Sequence, residues 1–300
     1  MIRETQTALP ITARRMSGAL RWRRVFLRLV LYVLALAGSA LFAAPFVFAF
    51  FTSLKVPSEI YAFPPKWIPA DMQWGNYWKA WTMVPFGRFV LNTTIITFTA
   101  MAGQIGSATI VAYGFARFRF PGKNTLFLLL LGTFIMPVEV TIIPQFIVFK
   151  QINWVNTWLP LIVPNYFGGG AFSIFLLRQF FMTLPRELDD AAKIDGATSL
   201  GVLWRILIPL AVPALLTVAI FAFVFHWNDF FFPLIYLSAL EKYTVSLGLR
   251  YFQQIPTGGG GVLAQFLMAA SMTVAIPVVV LFLVLQRYFI RGIVMSGIKG

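Results

Sequence analysis

The sequence contains no cysteine and a single histidine, His226. No disulfide framework, thiolate nucleophile or zinc–thiolate site can be built from it, nor a multi-histidine metal cluster. Charge is also scarce: 11% of the 300 residues are Asp, Glu, Lys or Arg, against about 25% in an ordinary soluble domain. Acids are the scarcest, ten in the whole chain. There is no G-x-x-x-x-G-K-[ST] run to cradle a nucleotide, no H-E-x-x-H and no nucleophile-elbow serine. These absences argue against an enzyme and against ATP hydrolysis by this chain alone.

What is present is apolar: 59% of residues are hydrophobic and 17% aromatic. No soluble core hides that much apolar surface, and burial in lipid accounts for it directly. A helix crossing a hydrocarbon layer of about 30 Å needs about 20 apolar residues. Six stretches qualify: 25–54, 86–115, 125–149, 159–181, 207–237 and 262–289. They are long continuous runs, not the short alternating segments of a barrel. The expected fold class is therefore an all-α integral membrane protein of six transmembrane helices. A basic N-terminal segment (1–24) precedes the membrane domain (25–289), and a short tail (290–300) follows it.

The net charge of +14 marks topology, not nucleic-acid binding. Seventeen of the 24 basic residues fall in or immediately beside the N-terminal segment, the loops after stretches two and four, and the tail. The positive-inside rule puts those regions, and both termini, in the cytoplasm. The first apolar run is too long for a cleaved signal sequence, and no polar mature domain follows it. On the other side, Trp67, Trp74, Trp78 and Trp81 suit a membrane interface, with an amphipathic segment around 75–81.

Prolines and glycines interrupt several stretches: Pro137 and Pro144 in the third, Pro164 and Gly168–Gly170 in the fourth, Pro213 and Pro233 in the fifth. Proline removes a backbone donor, and in lipid the freed carbonyls need protein or water partners. The pattern suits a moving, water-lined protein, although static bundles also contain it.

The loop between stretches four and five (183–208) concentrates four of the ten acids: Glu187, Asp189, Asp190 and Asp195. Three of them fall early in a short helix, where the positive end of the helix dipole favours them. Leu188, Ala191, Ala192 and Ile194 give it an apolar side, and Gly196 is placed to end it. A second short helix over 198–206 leads to Pro209. Two readings fit such an element: a knob for a partner's groove, or a loop helix lying passively on the membrane.

The run Glu187-Leu188-Asp189-Asp190-Ala191-Ala192-Lys193-Ile194-Asp195-Gly196-Ala197, followed by Pro209, resembles the EAA loop of permease subunits from binding-protein-dependent ABC importers. Asp190 stands where that family has its first Glu. The resemblance extends to Ala112–Lys123, to Met136-Pro137 through Pro144, to His226–Phe230 and to Gln286–Gly300. It covers all but about the first 25 residues, and is strongest to the second subunit of maltose-type, carbohydrate-uptake permeases. The resemblance implies a type I importer fold and multi-pass residence in a bacterial cell membrane. It also implies four kinds of partner: a second, distinct permease, an ATPase dimer that binds the ATP and Mg, a solute-binding protein, and a sugar-type substrate. No cofactor is expected in this chain.

By the same resemblance, Glu187, Asp190, Ala191, Ala192, Asp195, Gly196, Ala197 and Pro209 couple to the ATPase, and Lys299 and Gly300 reach towards it. Gln253, Gln254, Gly258 and Gly259 belong to a loop that enters the binding protein, or else form a plain flexible connector. Glu139, Tyr166, Asn228 and Asp229 are candidates for the substrate path. A charge inside the bilayer costs about 3 kcal/mol and usually faces a cavity or a partner, so structural contacts remain the competing reading for Glu139 and Asp229. An ion-coupled secondary transporter using Glu139, His226 and Asp229 is the alternative function. It would predict inverted repeats, which the sequence does not display, and it leaves the acidic loop unexplained.

Overall fold

The computed structural model describes residues 18–254 and 263–297. Among the described residues the chain is helical throughout, with turns and no strand. Its main helices are α1 (Gly18–Ser53), α2 (Gly75–Met83), α3 (Phe86–Arg117), α4 (Lys123–Ile135), α5 (Val138–Gln151), α6 (Ala171–Thr183), α7 (Glu187–Ile194), α8 (Val212–Asn228), α9 (Val245–Gln254) and α10 (Ala264–Gly297). Four segments are long and apolar enough to cross a membrane: Val25–Ser53, Phe86–Arg117, Leu159–Thr183 and Ala264–Gln286. Two bent pairs bring the number to six if each pair is one span.

The third and fifth stretches are therefore not the continuous helices their composition suggests. Helices α4 and α5 meet at 96°. The break falls at Met136, which is extended (φ −71°, ψ 122°) ahead of Pro137, as steric conflict with a following proline ring requires. The segment Ser199–Leu210 meets α8 at 80°. The fifth stretch also ends early: α8 stops at Asn228, and Phe231–Tyr236 forms a separate short helix. Pro45, Pro144 and Pro277 by contrast stay inside their helices.

Helix α3 is the axis of the molecule. One end packs Phe86 and Phe89 with Ala80 of α2, Val245 and Phe252 of α9, and Ala269 and Ala270 of α10. The other end packs Ala108, Ala112, Tyr113 and Ala116 with Ile174, Leu177 and Phe181 of α6, Ala192 of α7, and Leu203 and Leu207. The alanines on this face let the neighbouring helices approach closely, as small residues do between membrane helices. Helix α2 confirms the short amphipathic segment: Asn76 and Ala80 are buried and Trp78 is exposed. The Asn76 side-chain amide donates to the carbonyls of Ser53 and Lys55 at 2.9 and 3.1 Å, which ties α2 to the end of α1.

Candidate functional site

The acidic loop folds as two short helices around a glycine elbow. Glu187, Asp189 and Asp190 occupy the first turn of α7. Gly196 follows the helix at φ +80°, a left-handed conformation open to glycine at no steric cost. Thr198 starts the next turn, with its Oγ1 accepting from the Gly201 N–H at 3.1 Å. From there Ser199–Val202 runs into a π-turn over Leu203–Leu207.

The two sides of α7 differ sharply. Asp189 and Ala192 face inwards, and Ala192 joins the core at the end of α3. Asp190, Ala191, Asp195 and Gly196 face outwards, and Ile194 is 86% exposed. Beside them a hollow of about 410 Å3 is lined by Leu188, Ala191, Gly196, Ala197, Arg205 and Ile206. Of the sequence candidates, Ala192 thus serves the chain's own packing, whereas Asp190, Ala191, Asp195 and Gly196 are available to a partner. Glu187 is exposed as well, and Pro209 lies in the short helix Ile208–Leu210 leading to the bend. The sequence reading set Ile194 with Leu188, Ala191 and Ala192 on one apolar side, because hydrophobicity alone does not tell an outward isoleucine from an inward alanine.

Beneath the loop, Arg117 at the end of α3 makes an ion pair with Asp189, Nε to Oδ2 at 3.0 Å. Their side chains are 7% and 10% exposed. Both terminal nitrogens of Arg117 also donate to the Leu184 carbonyl at 3.2 Å. The Tyr113 hydroxyl donates to the Ser199 carbonyl at 2.9 Å. By comparison the outer pair, Lys193 with Asp190 at 3.9 Å, is well exposed and contributes little.

The substrate-path candidates do not converge: among the described residues no hydrogen bond joins any two of them. Glu139 sits exposed in the first turn of α5, just past the bend, and makes no ion pair among the described residues. Asp229 Oδ1 accepts from the Phe232 N–H at 3.2 Å, which caps the helix Phe231–Tyr236. Asn228 donates to the Val224 carbonyl at 2.8 Å. Tyr166 lies over Gly103 and donates to the Thr99 carbonyl at 3.1 Å. One residue further along α3, Gln104 links two other helices. His226 Nε2 of α8 lies 2.9 Å from Gln104 Oε1, and Gln104 Nε2 donates to Ser173 Oγ of α6 at 2.9 Å. Nothing in the sequence separates Gln104 and Ser173 from other polar residues, so this crossing emerges only in three dimensions.

Gln253 and Gln254 are exposed at the end of α9. Gln253 lines a cavity of about 530 Å3 with Phe230, Ser246, Arg250 and Ser271 among others. Gly258, Gly259, Lys299 and Gly300 lie outside the described residues.

Residues 104–295 match the model of the family described as "Binding-protein-dependent transport system inner membrane component". The chain belongs to this family. It is a multi-pass inner-membrane permease subunit of a binding-protein-dependent ABC importer, and a transport subunit, not an enzyme. Such importers work with a partner permease, an ATPase and a binding protein, so the ion-coupled alternative falls away. Curated relatives include the sn-glycerol-3-phosphate transport system permease protein UgpE of Yersinia pestis bv. Antiqua (strain Antiqua). It is 33% identical over 271 residues, which is 88% of this chain and 95% of that protein. The probable ABC transporter permease protein YurM of Bacillus subtilis (strain 168) is 31% identical over 277 residues, 92% of this chain and 88% of that one. Among solved structures, a chain of a bacterial ABC transporter involved in the import of the acidic polysaccharide alginate superposes with a TM-score of 0.77. It is 22% identical and covers 91% of this chain and 99% of that one. That likeness establishes the fold.

Proposed function

We propose that this permease imports a sugar or sugar derivative, and that α7 with its glycine elbow is the contact through which the ATPase drives it. The observation that carries the coupling reading is Ile194. Four acids between 187 and 195 keep this helix out of the hydrocarbon layer, yet its isoleucine is 86% exposed. Burying such a side chain in a partner's groove contributes about 2 kcal/mol. The flanking hollow, edged by Ala191 and Gly196, leaves room for the groove's rim.

On this reading Glu187, Asp190, Ala191, Asp195, Gly196 and Ala197 lie at or beside the ATPase contact, and Ala192 and Pro209 hold the loop from behind. ATP and Mg are bound by the ATPase dimer. The chain crosses the membrane six times with both termini in the cytoplasm, as the distribution of its basic residues supports. A distinct second permease completes the pathway, in which Glu139, Tyr166, Asn228 and Asp229 take part. Gln253 and Gln254, with Gly258 and Gly259, meet the binding protein on the outer face, and Lys299 and Gly300 reach the ATPase. The sugar-type cargo is supported by the polyol phosphate and the polysaccharide in the names of the relatives.

The absence of native cysteine makes a clean test available. Lys193→Cys places one thiol on the exposed side of α7 without disturbing the packed Ala192. In the assembled transporter it is expected to cross-link to the ATPase subunit, with a yield that changes when ATP is added. A thiol captured only by lipid or by the second permease, with or without nucleotide, contradicts the assignment.

A further inference from the structure

We infer that Arg117 is a positioning residue that locks α7 to α3, so that α3 carries displacement of the loop across the membrane as a rigid lever. The inference rests on the coupling reading above and adds the route by which movement leaves the loop.

One guanidinium holds two points of the loop. Its Nε pairs with Asp189 in the first turn of α7, and its two terminal nitrogens hold the Leu184 carbonyl in the strand of chain entering that helix. The two terminal nitrogens hydrogen-bond the Leu184 carbonyl, whereas Nε, buried without a hydrogen-bond partner, meets the Asp189 carboxylate as an ion pair, so the grip on α7 itself is electrostatic. Tyr113, one turn back along α3, holds the Ser199 carbonyl on the far side of the Gly196 elbow. Both halves of the loop are thus fastened to the same end of the same helix. Displacement of α7 pressed from its Ile194 side must drag α3 or break a buried ion pair.

The other end of the lever is fastened equally firmly. The 32 residues of α3 extend about 48 Å at 1.5 Å per residue. Near its start the Asn92 amide donates to the carbonyls of Glu241 and Tyr243 at 2.9 and 3.0 Å. Thr93 Oγ1 accepts from the Val245 N–H at 2.8 Å. These bonds hold the segment leading into α9, at the opposite end of the molecule from α7. Midway, Gln104 ties α3 to α6 and α8, so neighbouring helices move with it.

Stability alone is a poor account of the pair. Apolar residues of similar volume are often as stable as a buried ion pair, whereas removing one partner leaves an uncompensated charge. Asp189 Oδ1 and Arg117 Nε are both buried without a hydrogen-bond partner, and Arg117 makes the only ion pair this carboxylate has among the described residues.

The test uses the complete reconstituted transporter and two single-cysteine probes. Lys193→Cys reports docking by cross-linking to the ATPase. Glu241→Cys reports movement at the far end, through its rate of labelling by a membrane-impermeant maleimide with and without ATP. In the parent background ATP is expected to change the Glu241→Cys labelling rate roughly fivefold or more, the span of ordinary coupling energies. In Arg117→Gln, and in the apolar double variant Arg117→Met/Asp189→Leu, that change is expected to vanish while the Lys193→Cys cross-link persists. If the double variant restores assembly and the ATP-dependent labelling together, the pair serves folding only and the lever is overturned. An ATP effect retained in Arg117→Gln, or absent from the parent, overturns it equally. Loss of the cross-link in the parent is a separate result: it removes the coupling reading, and the lever with it.

Discussion

Gly169 and Gly196 share a left-handed backbone, at φ +63° and +80°, but not their surroundings. A Cβ on Gly169 would strike the Gln104 carbonyl oxygen and lie 2.7 Å from Ala108, both on α3, whereas a Cβ on Gly196 would meet nothing within 4 Å. The left-handed conformation costs an ordinary residue about 1–2 kcal/mol in either place. At Gly169 overpacking adds roughly 1–3 kcal/mol. Gly169→Ala is therefore expected to lower the melting temperature of the detergent-solubilised protein clearly more than Gly196→Ala; equal shifts would contradict the close approach. The sequence made Gly196 legible, since a glycine after an acid-led helix reads as its stop. It could not separate Gly169 from the glycines beside it, because the constraint comes from α3. Arg117 and Asp189 were each visible as charges, but their pairing needed the fold.

Helix α7 was legible as an element: its acids, its small residues and its closing glycine all lie within a dozen positions. Which side it buries was not, because Ala191 and Ala192 are chemically identical and only packing against α3 distinguishes them. The exposed isoleucine yields a sharp expectation. Ile194→Asp should leave the permease's own stability within about 0.5 kcal/mol, as at other surface positions. It should weaken ATPase association by roughly 1–3 kcal/mol if Ile194 fills a groove. Co-purification of the ATPase at graded salt and detergent, set beside a melting curve of the permease alone, measures both. Unchanged association would show that the isoleucine is incidental. The two bent helix pairs were half legible: the prolines that interrupt them were plain, but Pro144 sits quietly inside α5 while Pro137 stands just past the end of α4. The residue ahead of Pro137 had left the helical region, and no local composition rule says which proline will act that way.

For the whole molecule, composition and charge asymmetry carried most of the reading, because membrane burial and topology are set by sums over many residues. The orientation is open to a direct check. With a membrane-impermeant maleimide added to intact cells, Lys66→Cys is expected to label and Lys193→Cys to label only after permeabilisation. The reverse pattern would invert the proposed topology. Sums over residues say nothing of how helices meet, which is why α1 read as one span among six. In fact Val25–Ser53 has none of its most apolar stretch buried. Most of that helix's circumference is left uncovered by the rest of the described chain.

The bend between α4 and α5 has a bearing on how the protein is made. These helices have 13 and 14 residues, each short of the roughly 20 needed to cross a bilayer. Extended backbone at Met136 and Pro137 is tolerated at membrane depth only where protein or a water-filled cavity meets it. During synthesis neither half can settle as an independent span, and Phe127 and Phe134 of α4 stack on Phe175 and Phe172 of α6, which emerges later from the ribosome. The lasting place of this region in the bilayer thus draws on chain translated after it, and its two short helices settle with α6 rather than ahead of it.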